Sequence, residues 1–170
     1  MITKEAVLAF QKNWGECIIN IGKTYQNNGD FRSAAINFIA DSYAYDSEQV
    51  LFKPTLASKN PFRLTSRSAL SYFIGGNPNF TEDKGFAIKG WKNVRWKNSG
   101  ISIIDRTAIC MGNYYFTNTD GELKVEFPIA VEVGMTEADF SGAKMGQSGA
   151  VILVAWLEHK VQHMTPTDYC

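Results

Sequence analysis

The sequence predicts an α+β fold: a cone-shaped domain with three N-terminal helices packed on a strongly curved, mostly antiparallel sheet. Two observations carry this. Up to Gly76 the apolar residues recur every three or four positions, the spacing of one helix face. From Gly85 the period becomes two, the spacing of a half-buried strand, and turn residues punctuate the runs. Three helices, one of them after a short strand, followed by a meander of four long strands place the helices on one face of an antiparallel sheet. No internal repeat and no long linker divides the chain, so residues 1–170 are read as one domain.

The first helix carries Val7, Phe10, Trp14, Cys17/Ile18, Ile21 and Tyr25 as one stripe. Thr3 is its expected N-cap, and Gly29 of "NNGD" the expected left-handed residue at its end. Asp30 then caps a second helix through Ala34, Ala35, Phe38, Ile39 and Ser42/Tyr43. "VLFKP" is read as a short strand, because Lys53 precedes a proline and is biased away from helix. "TLASKNP" is a turn, and "FRLT" leads into a third helix, with Phe62 and Leu64 as apolar anchors before a Thr65 cap. That helix stops at Gly75-Gly76.

The strands follow. "GFAIKGWKNVRW" reads as a strand with Gly90 as a bulge. "TAICMGNYYFT" and "ELKVEFPIAVEV" flank "NTDG", a hairpin signal because Asn and Gly tolerate positive φ. In the second, Leu123, Val125, Phe127, Ile129 and Val131 face one way, and Lys124, Glu126, Pro128 and Glu132 the other. Pro128 donates nothing to a ladder, so the strand is an edge there or bulged. "AVILVAWLEHK" is apolar on both faces, as for a central strand or one covered by a partner.

Composition narrows the function classes. At 45% apolar and 13% aromatic residues the chain is a packed protein rather than a disordered one. Lys and Arg number 17 against 17 Asp and Glu, with no basic run, so neither nucleic acid nor an acidic membrane is an expected partner. The N-terminus reads as neither signal peptide nor membrane span, and Cys17, Cys110 and Cys170 form no disulfide or CxxC spacing. A cytoplasmic protein with reduced thiols is the resulting expectation.

Three motifs lose to simpler readings. "IGKT" lies inside a helix and has Cys17 where a phosphate loop needs glycine. "NTDGELKVE" puts Phe116 and Phe127 where a calcium loop needs carboxylates. His159 and His163 stand at i, i+4, but after a strand and without an HExxH motif, so no metal and no cofactor are expected. No GxSxG elbow is present. "YAYD", Tyr43 to Asp46, ends the second helix with two phenols and a carboxylate, either closing the core or rimming an apolar pocket.

The phrases "WGECIINIGKTY", "YAYDSEQVLFKPTLAS", "FRLTSRSALSYFIGG", "DKGFAIKGWKNVRW", "CMGNYYFT" and "DGELKVEF" resemble the nuclear-transport-factor-2-like superfamily, in the SnoaL-like branch that holds the calmodulin-dependent kinase association domain. That resemblance implies a pocket at the wide end of a cone and an outer sheet face that makes a homodimer. The branch places adjacent histidines at the last strand, whereas here "EHKVQHMTPTDYC" separates them, so no catalytic residue is carried over.

Two function classes stay open. The first is a pocket binding a small apolar or cyclic molecule, with isomerase, cyclase or hydrolase-type proton transfer. Position in the strand pattern and at helix ends nominates Tyr45, Trp91, Asn113, Tyr115, Glu126 and His159 for its walls, with Lys53 and Arg63 at the mouth. Glu126 reaches the pocket only if a bulge at Pro128 flips the register. The second is a non-catalytic dimerisation or adaptor module, with Trp156 as interface anchor.

Overall fold

The computed structural model describes residues 2–47, 49–105 and 107–132. Among the described residues three helices, α1 (Lys4–Gln26), α2 (Phe31–Ser42) and α3 (Ser66–Ile74), precede three strands, β1 (Asn93–Ile104), β2 (Thr107–Thr117) and β3 (Glu122–Glu132). The strands form an antiparallel sheet in the order β1-β2-β3. The α+β class is therefore as predicted. "AVILVAWLEHK", with Trp156 and His159, lies outside the described residues.

Each helix starts where the cap predicts. Thr3 accepts the Ala6 N–H at 3.2 Å, Asp30 accepts that of Ser33 at 2.9 Å, and Thr65 and Ser68 form a reciprocal capping box. At the end of α1 the left-handed residue is Asn28 (φ 53°) rather than Gly29. Asparagine tolerates that conformation, and Gly29 instead supplies close approach, since a Cβ there would meet Thr24 Cγ2 at 2.9 Å.

The first predicted strand begins late. Gly85–Lys92 is tied to α3, with the Phe86 and Ala87 N–H groups donating to the carbonyls of Tyr72 and Phe73. Pairing starts at Asn93, and the bulge falls between Asn98 and Gly100, not at Gly90. Opposite that bulge stands Gly112, where a Cβ would strike the Lys97 carbonyl oxygen. The "NTDG" hairpin forms, with Thr117 opposite Glu122. From that register Val125, Phe127, Ile129 and Val131 are buried, as predicted. Pro128 sits opposite Met111 with no shift in register.

The segment between α2 and α3 departs most from expectation. "VLFKP" forms no strand, although Val50, Phe52 and Pro54 are buried. Phe62 and Leu64, expected as anchors, are 61% and 50% exposed, while Arg63 between them is fully buried. Pro54 to Ala57 closes a turn, the Ala57 N–H donating to the Pro54 carbonyl at 3.3 Å.

The core lies between the helices and the inner sheet face, built on Phe10, Trp14, Ile18, Phe38, Phe73, Phe116 and Phe127 among others. α1 lies close on β1 because Gly15 leaves room for Val94; a Cβ at Gly15 would sit 2.9 Å from Val94 Cβ. Gln11 and Asn98 exchange amide hydrogen bonds of 2.9 and 2.7 Å across the same contact. Gly22 of "IGKT" is buried in mid-helix against the Ala87 carbonyl, which excludes a phosphate loop there.

Candidate active site

Trp14 stands at the centre of an inner cluster of phenols. It meets the rings of Phe38, Trp96, Tyr114 and Phe116 edge-on, at 5.6–6.2 Å. Its indole N–H donates to the Tyr43 hydroxyl at 3.1 Å. Tyr43 comes from the end of α2, Tyr72 from α3 and Tyr114 from the inner face of β2. The first two are buried, and Tyr114 keeps a partly accessible surface. Phe52 and Phe73, stacked at 5.8 Å, complete the apolar wall between them.

Burial governs all three phenols, and the Tyr43 oxygen is engaged by the Trp14 indole N–H. Burial pushes Tyr43 well above the ordinary phenol range, while the Trp14 N–H opposes the rise. Burial and the neighbouring Tyr114 likewise raise Tyr72, against a hydrogen bond from the Leu56 backbone N–H. Burial raises Tyr114, against a hydrogen bond with the Thr55 side chain. Thr55 and Leu56 are the central residues of the Pro54–Ala57 turn, so that turn lies beside Tyr114 and Tyr72. The phenols stay protonated at neutral pH, so each carries an O–H donor. A further donor lies beside them: Trp96 stacks on Tyr114 at 4.8 Å, and its buried indole N–H has no partner among the described residues. The cluster is a set of neutral donor groups among apolar rings.

The residues nominated from sequence fall in different places. Tyr45 is half-buried, stacked on Tyr43, and donates its hydroxyl to the Arg63 carbonyl at 2.7 Å. Trp91 is buried in the core, but its single N–H donates to the Phe86 carbonyl at 2.7 Å and is occupied. Asn113, Tyr115 and Glu126 share the outer sheet face, away from the helices. Asn113 is paired with Glu126, and Tyr115 lies under the Arg95 guanidinium at 3.8 Å. With no bulge at Pro128, Glu126 stays exposed on that face. Lys53 is half-buried, its ammonium pulled below the usual range by burial with Glu82 opposing. Arg63 is no mouth residue: it is enclosed, ion-paired to Asp83 at 2.8 Å.

In two pairs the inner phenol is the neighbour of the one nominated: Tyr43 rather than Tyr45, and Tyr114 rather than Tyr115. The hairpin held the signal for the second. Pairing Thr117 with Glu122 sets Tyr114 opposite Val125, already assigned to the inner face.

A family model for metal-independent carbonic anhydrase matches residues 5–134. The chain belongs to the metal-independent carbonic anhydrase family. A curated relative bearing that description, from Nostoc sp. strain PCC 7120, is 45% identical over 124 residues, 71% of this chain. The chain spans about 60% of the length of that relative. It is also similar to a solved iota-carbonic anhydrase from a cyanobacterium complexed with bicarbonate, at a TM-score of 0.77 and 37% identity, covering 89% of this chain and 88% of the other.

Family membership corrects the earlier resemblance. The phrases assigned to a SnoaL-like branch fall within the residues that the carbonic anhydrase model matches. Short aromatic phrases on helices and an antiparallel meander report packing, which unrelated activities share. The isomerase-type pocket and the non-catalytic adaptor give way together, since the family is one of carbonic anhydrases.

Proposed function

We propose that this chain interconverts carbon dioxide and bicarbonate, with the phenol cluster of Tyr43, Tyr72 and Tyr114 as the binding site. The observation that carries the reading is three neutral phenols from three elements gathered among apolar rings, in a family of carbonic anhydrases. In hydration, a water oxygen bonds to the carbon of carbon dioxide, one C=O electron pair moves onto oxygen, and the water loses a proton. Negative charge grows on the substrate oxygens. Phenolic O–H groups held in an apolar surround favour that charge without reorganising, and donors placed this way contribute on the order of 10²- to 10³-fold each. The phenols are not the base, because burial keeps them protonated. The released proton leaves to solvent or to an acceptor outside the cluster. Carbon dioxide itself is apolar, and Phe52, Phe73 and Trp14 give it apolar walls. A strongly curved, cone-like sheet belongs to this proposal, since curvature would bring Tyr114 and the α2 end toward one another.

The decisive measurement is stopped-flow hydration of carbon dioxide with a pH indicator, before and after exhaustive chelation. Catalysis above the buffer blank that survives chelation is expected. Absence of catalysis, or loss on chelation with recovery on adding zinc, would refute the proposal.

A further inference from the structure

Arg63 is a charged residue where the sequence offers apolar ones. Leu51, Leu56, Phe62 and Leu64 around it are all 45% exposed or more, while Arg63 is 0% exposed. Its guanidinium donates to Asp83 at 2.8 Å and to the Asn60 carbonyl, lies 3.7 Å from Glu82, and covers the Phe80 ring at 4.3 Å. Asp83 in turn accepts from Ser71 Oγ of α3 at 2.5 Å. Glu82 gathers the tip of the same loop, accepting from the N–H groups of Ser58, Lys59 and Asn60 at 2.8, 2.9 and 2.7 Å. At the loop's base the Arg63 N–H donates to the Phe52 carbonyl at 2.7 Å. Phe52 packs its ring on Tyr43 at 5.4 Å and on Tyr72 at 5.9 Å, and between those fixed points lie Thr55 and Leu56, the neighbours of Tyr114 and Tyr72.

A buried ion pair is weak support for stability, since well-packed apolar residues of similar volume often do as well. Its particular product is geometry: a planar fork with several fixed donors holds the groups around it in one arrangement. We propose that Arg63, clamped by Asp83, Glu82 and Asn60, is a positioning residue that holds the segment from Phe52 to Ala57, keeping the Phe52 ring on Tyr43 and Tyr72 and Thr55 and Leu56 beside the hydroxyls of Tyr114 and Tyr72. The inference rests on the proposed function in one respect: those hydroxyls are taken as the donors to carbon dioxide and bicarbonate.

The test compares Arg63→Lys, the apolar pair Arg63→Met/Asp83→Leu, and Glu82→Gln, which cuts the loop tip without stranding a buried charge. Thermal midpoint, kcat and KM for hydration, and amide exchange at Leu56 and Ser58–Asn60 are read for each. A misplaced donor pair lowers kcat by about 10- to 100-fold with KM little changed. The apolar pair is expected to keep the midpoint and still lose kcat, with faster exchange at Leu56 and unchanged exchange at Ile18 of α1. Folded variants whose kcat and Leu56 exchange stay within about twofold of the parent overturn the inference. Should the parent itself hydrate no carbon dioxide, the proposed function falls. The clamp is then judged on exchange alone: unchanged Leu56 protection in Glu82→Gln overturns it, and lost protection supports it.

Discussion

At the scale of single residues the cluster turns on protons held in place. Tyr72→Phe removes one hydroxyl and keeps the ring that packs on Phe52 and Phe86. Hydration kcat is expected to fall by on the order of 10²-fold with the thermal midpoint little changed, measured by stopped flow and calorimetry. Trp14→Phe is a different loss. It leaves the buried Tyr43 hydroxyl without its donor and thins the packing around it, so a cost of about 1–3 kcal/mol in denaturant unfolding is expected. Cys110 is buried on the inner face with its thiol pushed up to about 11 by burial, so it packs as a small hydrophobe and offers no thiolate at neutral pH.

At the scale of elements, close backbone approach limits what the sheet tolerates. Gly112→Ala forces a methyl toward the Lys97 carbonyl oxygen and to 2.9 Å from Asn98 Cα, opposite the bulge. Both are backbone groups that cannot swing aside, unlike a side-chain end. The variant is expected to lose about 2 kcal/mol or more, read as a lower urea midpoint. The bulge also explains why β1 carries its amide partner for α1 at Asn98, the residue at which the register breaks. In α3 the Thr65–Ser68 box starts the helix that carries Tyr72, so a weakened cap loosens a site residue as well as a helix.

At the scale of the whole molecule, stability depends on pH at both ends. Burial opposes ionisation of Glu82, yet the N–H groups of Asn60, Lys59 and Ser58 outweigh it and hold the carboxyl down at about 2. Its folded value lies below its ordinary one, so its contribution is present above the ordinary value of 4.5 and is lost as pH falls toward about 2. Glu82→Gln is expected to flatten that acid limb in midpoint-against-pH curves. The phenols act in the other direction. Tyr43, Tyr72 and Tyr114 lie above the ordinary value of 10.0, so the unfolded chain ionises first and stability falls as pH rises past 10. Phenolate absorbance from these three is therefore expected to appear together with unfolding and not before it.

The sequence by itself determined what depends on local chemistry. Thr3, Asp30 and Thr65 cap helices because a short side chain can reach an unpaired N–H within one turn. "NTDG" forms a hairpin, and β3 alternates, because a strand between core and water needs a period of two. Tertiary structure decided which side of each pair matters. Tyr43 is buried and Tyr114 lies on the inner sheet face through the placement of α2 and the β2–β3 register, while Tyr45 is half-buried at the edge of the core and Tyr115 lies on the outer sheet face. Nor could local hydropathy show that Arg63 goes inside while Phe62 and Leu64 stay out. An apolar side chain gains from burial wherever a core is available, but a guanidinium can be buried only where partners from distant segments converge. Asp83, Glu82 and Asn60 meet at that one place, and only the folded chain brings them together.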